Sequence, residues 1–225
     1  GTAATFAARC TMQGNIFAGT AITFAAGCTH HGRAFALGTA CTLSSTQIGC
    51  DWSPASPSSS SSASSSAKKC KVRACAASMT PVNLGVAEPF AVLATSAVTD
   101  AGGSQIDGDM GTSTGIALPV YAPYSPPTPG LNGKLHPNDA TAIAARAAAV
   151  AALIDIKARS TCETALGGVV ELGGKTLSPG LYTATSTMQL IAGDLTLDAG
   201  SDPNAVFIFR MPTTFSTAAD RKVIL

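Results

Sequence analysis

The chain has 225 residues, enough for one good core, with 12% charged residues, 5% aromatics and a formal net charge of +1. Without a basic stripe or interleaved aromatics there is no electrostatic case for nucleic acid. No apolar run reaches the ~18 residues of a membrane-spanning helix. Ala, Ser, Thr and Gly dominate, so burial must come from many small side chains stacked closely.

Residues Gly1 to Gly49 write one unit nearly three times: TAATFAARCTMQG, GNIFAGTAITFAAGCTHHG and GRAFALGTACTLSSTQIG. A shift of eighteen places lays Thr2 on Thr20, Thr5 on Thr23, Phe6 on Phe24 and Cys10 on Cys28. The third copy carries one extra residue, Leu37, after which Thr39 and Thr42 take the places of Thr20 and Thr23. Such a unit cannot bury its apolar face alone, and its short period predicts stacked coils of a parallel β-solenoid. Alternation places Ile22 and Phe24 inside and Thr23 outside, with Thr5 and Thr42 outside by equivalence. GNIFA and GRAFA supply a second wall, RCTMQ and GCTHH a third, so the predicted coil is triangular.

Seven cysteines are an odd set. Cys10 and Cys28 are equivalent in adjacent coils about 4.8 Å apart, a spacing open to either a disulfide or a ladder of small buried thiols. Cys50, Cys70 and Cys75 bracket a linker and point to an oxidising, extracellular setting. Gly1 opens directly on repeat sequence, which leads us to expect a processed, truncated or engineered start.

From Asp51 to about Ala77 the pattern gives way to DWSPASPSSSSSASSSAKKCKVRACAA, whose Ser and Pro content cannot build a core and reads as a tether. Trp52 fits a linker-edge anchor. The organisation is therefore 1–50 solenoid coils, 51–79 linker, and 80–225 further coils with a helix. Short β-like runs resume after Pro81, Val120–Gly133 is Pro-rich loop, and Asn138-Asp139 starts a helix over about 138–160. Ile143, Ala147, Val150 and Ile154 form one stripe of that helix, and its Ala-rich side is smooth enough to lie along a solenoid wall. Coil sequence returns after it, with VFIFR in the position of GNIFA and TTFSTAA in that of TAITFAA.

Leu84–Gly115, the helix after His136–Ala140, Leu195–Met211 and Gly14–Leu43 together resemble the microbial ice-binding proteins, which have a discontinuous right-handed β-solenoid with one long helix alongside. The order departs from that family: the segment like Leu84–Leu225 comes first there, and the segment like Gly1–Gly49 follows it. A fragment of a tandem array and a circular permutation both account for this. About one family strand is missing between Val223–Leu225 and Gly1, which favours the fragment. A single composite solenoid with a gap or strained junction is expected in either case.

The resemblance implies a secreted, non-enzymatic protein that adsorbs to ice through a flat Thr/Ser face, with no cofactor and no obligate protein partner. Threonine suits this role, offering a hydroxyl and a methyl on a χ1-restricted stem. The expected face comprises Thr5, Thr23 and Thr42 in one rank, Thr2, Thr20 and Thr39 at its corner, and Thr187, Thr214 and Ser216 in the later coils. TAAT, TAIT and TACT also resemble a motif of the ice-binding face in that family. A wall bearing Thr11, Thr29 and Thr196 is the competing choice, less suited because of His30, His31 and Lys222. A passive adhesin and a polysaccharide-active β-helix enzyme are the alternatives, the latter disfavoured by low charge. His30-His31 reads as a turn pair, Asp107 and Asp109 as turn formers, and no metal ligand set or nucleophile elbow is evident.

Overall fold

The computed structural model describes residues 1–49, 79–100, 103–114 and 131–225. The bulk of the linker, Trp52, Cys50, Cys70, Cys75 and much of the Pro-rich loop lie outside the described residues. Short strands of two to five residues are stacked in parallel, and the chain visits three walls in turn.

The first wall is a seven-stranded sheet in the order Ala97–Asp100, Ala40–Leu43, Ile22–Phe24, Ala3–Phe6, Thr214–Thr217, Met188–Leu190, Val170–Glu171. The second wall joins a five-stranded sheet, which ends in Thr11–Gln13, to a three-stranded one ending in Val223–Ile224. A single bridge from Thr11 to Lys222 links the two. The third wall is also divided: Ile16–Ala18 and Phe207–Arg210 are sheet edges that do not pair with one another.

Strand pairing therefore brings the two ends of the sequence together. Ala3 to Phe6 run in register with Thr214 to Thr217 on one side, and Ala4 to Phe6 with Ile22 to Phe24 on the other. Ala40 to Leu43 pair with Ala97 to Asp100. The coils of Gly1–Gly49 thus lie between two parts of the later chain, in a composite stack interrupted on one wall.

Period-two alternation drives the packing. Ala4, Phe6, Ile22, Phe24, Cys41 and Leu43 point inward and are buried, while the residues between them face out. Phe6 stacks on Phe24 with centroids 4.7 Å apart and meets Phe215 at 5.8 Å across the junction. Full burial of a large side chain such as Phe6, Ile22 or Phe24 contributes about 1.5–3 kcal/mol, so the interior ladder carries the stack.

The corners need special backbone. Arg9 (φ 57°), Gly27 (φ 75°) and Asp220 (φ 61°) take the left-handed conformation at equivalent turns of successive coils. At another corner a Cβ on Gly38 would collide with the Gly19 carbonyl oxygen, so only glycine lets those coils close up.

Helix α1 (Ala140–Ala158) lies along the third wall. Asp139 caps it, its carboxylate accepting from the Ala142 amide, and that bond is the main reason its pKa is held below the usual range. His136 Nδ1 lies 2.7 Å from the same carboxylate. The buried face is Ala142, Ala145, Ala149 and Ala152, whereas Ile143 and Ile154 are exposed. The two isoleucines of the expected stripe therefore face solvent, while Val150 of the same stripe packs part-buried against the wall. Phe35, Phe90 and Leu93 already fill the space above the wall, so the fully buried contacts of the helix are alanine methyls, with Val150 and Leu153 packed part-buried beside them.

Cys10 and Cys28 form a disulfide, which excludes the thiol ladder at these positions. Cys162 is disulfide-bonded as well, and Cys41 is a free, buried thiol. His30-His31 is not a turn pair: both belong to the strand Thr29–His31, with His30 inside and His31 exposed. Asp107 and Asp109 flank the corner at Gly108 and brace the neighbouring coil, accepting from the Asn132 side-chain amide and the Lys134 backbone amide.

Candidate functional site: a threonine-bearing wall

All nine residues expected at the site fall on the first wall or its corner. Cross-strand register lines up Thr99, Thr42, Thr23, Thr5 and Ser216 as one outward row, continued by Gln189 and Glu171. Because the strands are parallel and in register, successive rungs recur at about 4.7–4.9 Å. Thr5, Thr23 and Thr99 are exposed and Thr42 is half-buried. Among the described residues their hydroxyls have no protein partner.

Two residues back along each strand lies a row of small side chains. Ala97 pairs with Ala40, Ala3 pairs with Thr214, and Ala21 occupies the same level one place before Ile22. Thr214 and Thr187 thus belong to this second row and do not extend the Thr5 rank, because Met188 pairs with Phe215. Ser216 does extend it.

The corner beside these rows carries a third line. Backbone amides of Thr2, Thr20, Thr39 and Ser96 donate to the carbonyls of Thr213, Thr2, Thr20 and Thr39 respectively. Here several hydroxyls are engaged: Thr20 Oγ1 donates to the Thr2 carbonyl and Thr2 Oγ1 to the Thr213 carbonyl. Thr187 and Thr213 share a hydroxyl–hydroxyl bond of 3.0 Å.

Sequence reasoning missed Thr99, Ser96 and Thr213. A signal was present, since Ser96-Ala97-Val98-Thr99 repeats the Thr39-Ala40-Cys41-Thr42 pattern with Ser for Thr.

Charge is confined to the margins of this wall. Glu171 sits in its last strand, where burial raises its pKa but the amides of Ile191, Gly173 and Ala192 together outweigh that and hold it low. Arg9 and Asp220 form a bidentate pair at a corner, 2.6 and 2.7 Å, bridging the two ends of the sequence. On the second wall, by contrast, His31, Asp107 and Lys222 interrupt Thr11, Thr29 and Thr196. The third wall is partly covered by α1. Among the described residues no group of three or more His, Cys, Asp or Glu is placed to hold a metal ion.

Comparison with known proteins adds an independent line. An ice-binding protein of Nostoc sp. (strain HG1) is 35% identical over 141 residues, covering 63% of this chain and 49% of that protein. One from Flavobacterium frigoris (strain PS1) is 32% identical over 153 residues, covering 64% and 54%. The chain thus spans about half the length of these relatives. Among solved structures, an ice-binding protein from an Antarctic biological consortium superposes with a TM-score of 0.59 at 40% identity, covering 65% of this chain and 64% of that one. The ice-binding protein of the Antarctic ascomycete Antarctomyces psychrotrophicus gives 0.58 at 35% identity, covering 65% and 68%. The family model described as Ice-binding-like matches residues 92–225, more than half of the sequence, and the chain belongs to that family.

Proposed function

We propose that this chain binds ice through the first wall, and that adsorption there inhibits ice growth and recrystallisation without any catalytic step. The observation that carries the reading is the in-register row Thr99, Thr42, Thr23, Thr5 and Ser216, beside a row of alanines. A rigid parallel ladder repeats hydroxyl and methyl groups at lattice-like intervals of about 4.8 Å. Restricted χ1 rotation keeps each threonine in place. Water held over such a surface is ordered in advance, and a crystal joins it without much reorganisation. Charged side chains would impose their own hydration, which is why the second wall is the poorer surface.

In this reading the coils of 1–50 and those of 80–225 form one working surface, with 51–79 as the tether between them. Action outside the cell fits the disulfide chemistry at Cys10, Cys28 and Cys162.

The test is thermal hysteresis and recrystallisation inhibition by the intact chain and its Thr23→Tyr variant. A phenol ring in the middle of the row holds ice away, so activity should be lost while far-UV circular dichroism is unchanged. Thr29→Tyr, on the second wall, should retain activity. Full activity in Thr23→Tyr with loss in Thr29→Tyr would move the site to the second wall.

A further inference from the structure

The threonines of the first wall are not chemically equivalent, and we infer that they divide the work: the Thr5, Thr23, Thr42 and Thr99 row holds water through its hydroxyls, whereas Thr2 and Thr20 at the corner present their methyl groups. The inference rests on the ice-binding reading and assigns different chemistry to two parts of that surface.

The hydrogen bonds carry it. Among the described residues, Thr5, Thr23, Thr42 and Thr99 make no side-chain hydrogen bond, so each hydroxyl offers a donor and acceptor sites to solvent. At the corner, Thr20 Oγ1 is turned back to the Thr2 carbonyl and Thr2 Oγ1 to the Thr213 carbonyl, 3.2 Å away. A hydroxyl whose proton is committed to the backbone cannot also donate to surface water. With Oγ1 held against the neighbouring coil, the Cγ2 methyl on the same restricted stem is directed elsewhere, and both residues are exposed.

The corner hydroxyls are also dispensable for the fold. The Thr2 carbonyl already accepts the Thr20 amide, and the Thr213 carbonyl already accepts the Thr2 amide. Removing Oγ1 from Thr20 or Thr2 therefore orphans no backbone group. What it leaves is a β-branched apolar side chain of nearly the same shape.

The assignment distinguishes Val, which keeps the methyl and loses the hydroxyl, from Ser, which does the reverse. At Thr23 the Val variant should lose thermal hysteresis at matched concentration, because its hydroxyl's hydrogen bond to surface water is gone, and Ser should lose less. At Thr20 the order should invert, with Val close to the parent and Ser reduced. Measurements use the full chain, with circular dichroism and melting curves to verify folding. The same pair at Thr99, at the far end of the row, serves if a Thr23 variant does not fold. The same order of Val and Ser at both positions would overturn the division of labour while leaving the wall assignment intact. The wall assignment itself is judged separately by Thr23→Tyr.

Discussion

His30 is a titratable ring inside an apolar stack. It is fully buried, its neighbours in register are Met12 and Ile48, and it packs on Phe24 at 5.5 Å. Nε2 lies 3.3 Å from the Arg33 carbonyl, and among the described residues Nδ1 has no hydrogen-bond partner. Burial drives its pKa down to about 4 from an ordinary 6.5, with the Arg33 carbonyl working the other way. Between those values the unfolded chain binds a proton that the folded chain refuses. Stability is therefore complete above pH ~6.5 and declines as pH falls toward 4, by about 3 kcal/mol at the bottom of the window. Carboxylates add their own acid dependence, so the diagnostic quantity is a difference. Denaturant unfolding of His30→Met, which copies Met12, should show a shallower loss between pH 6.5 and 4 than the parent. Parallel pH profiles would contradict a neutral buried imidazole. Its location was legible in the eighteen-residue repeat, which sets His30 on the inward Met12. Reading the His-His pair as a unit concealed this, because adjacent residues on a strand face opposite ways.

At the scale of the element, α1 shows which kind of pattern survives the passage from sequence to structure. Its existence and extent follow from the Asn138-Asp139 start and the Ala-rich run, and it occupies Ala140–Ala158. Its buried face does not follow from hydrophobicity. The wall beneath already presents Phe35, Phe90 and Leu93, so the helix packs through alanine and leaves Ile143 and Ile154 in solvent. Information about where large side chains are already placed belongs to the partner strands, not to the helix sequence. Ala149→Leu should consequently destabilise by about 1–3 kcal/mol through overpacking. Ile154→Ser should stay within about 0.5 kcal/mol of the parent, as surface changes do. Thermal melts of the two variants check this, and the reverse order would mean that the Ile stripe is the packed face.

Over the whole molecule, what matters is that residues far apart in sequence share one surface. The three-wall coil and its inward and outward parity were readable from Gly1–Gly49, because one unit is repeated there with small changes. The row across the junction was legible only in part: TTFSTAA matches TAITFAA in position and so sets Ser216 on Thr23, but that this strand lies directly beside Ala3–Phe6 comes from strand pairing between the two ends of the sequence. Thr187 and Thr214, expected on the matching wall of the later coils, are on that wall but fall one row away, because wall matching does not fix the position within a strand. The junction is held by the backbone ladder and by Phe6 against Phe215. Arg9 and Asp220 are 66% and 52% exposed, and a solvated pair of that kind adds little.

Ser216 lies one strand from Thr5 in space but at the opposite end of the chain, so it tests the proposed composite wall most directly. Thermal hysteresis of Ser216→Tyr should fall with that of Thr23→Tyr, in a protein whose circular dichroism matches the parent. Full activity in Ser216→Tyr beside loss in Thr23→Tyr would contradict a face shared by the two parts of the sequence.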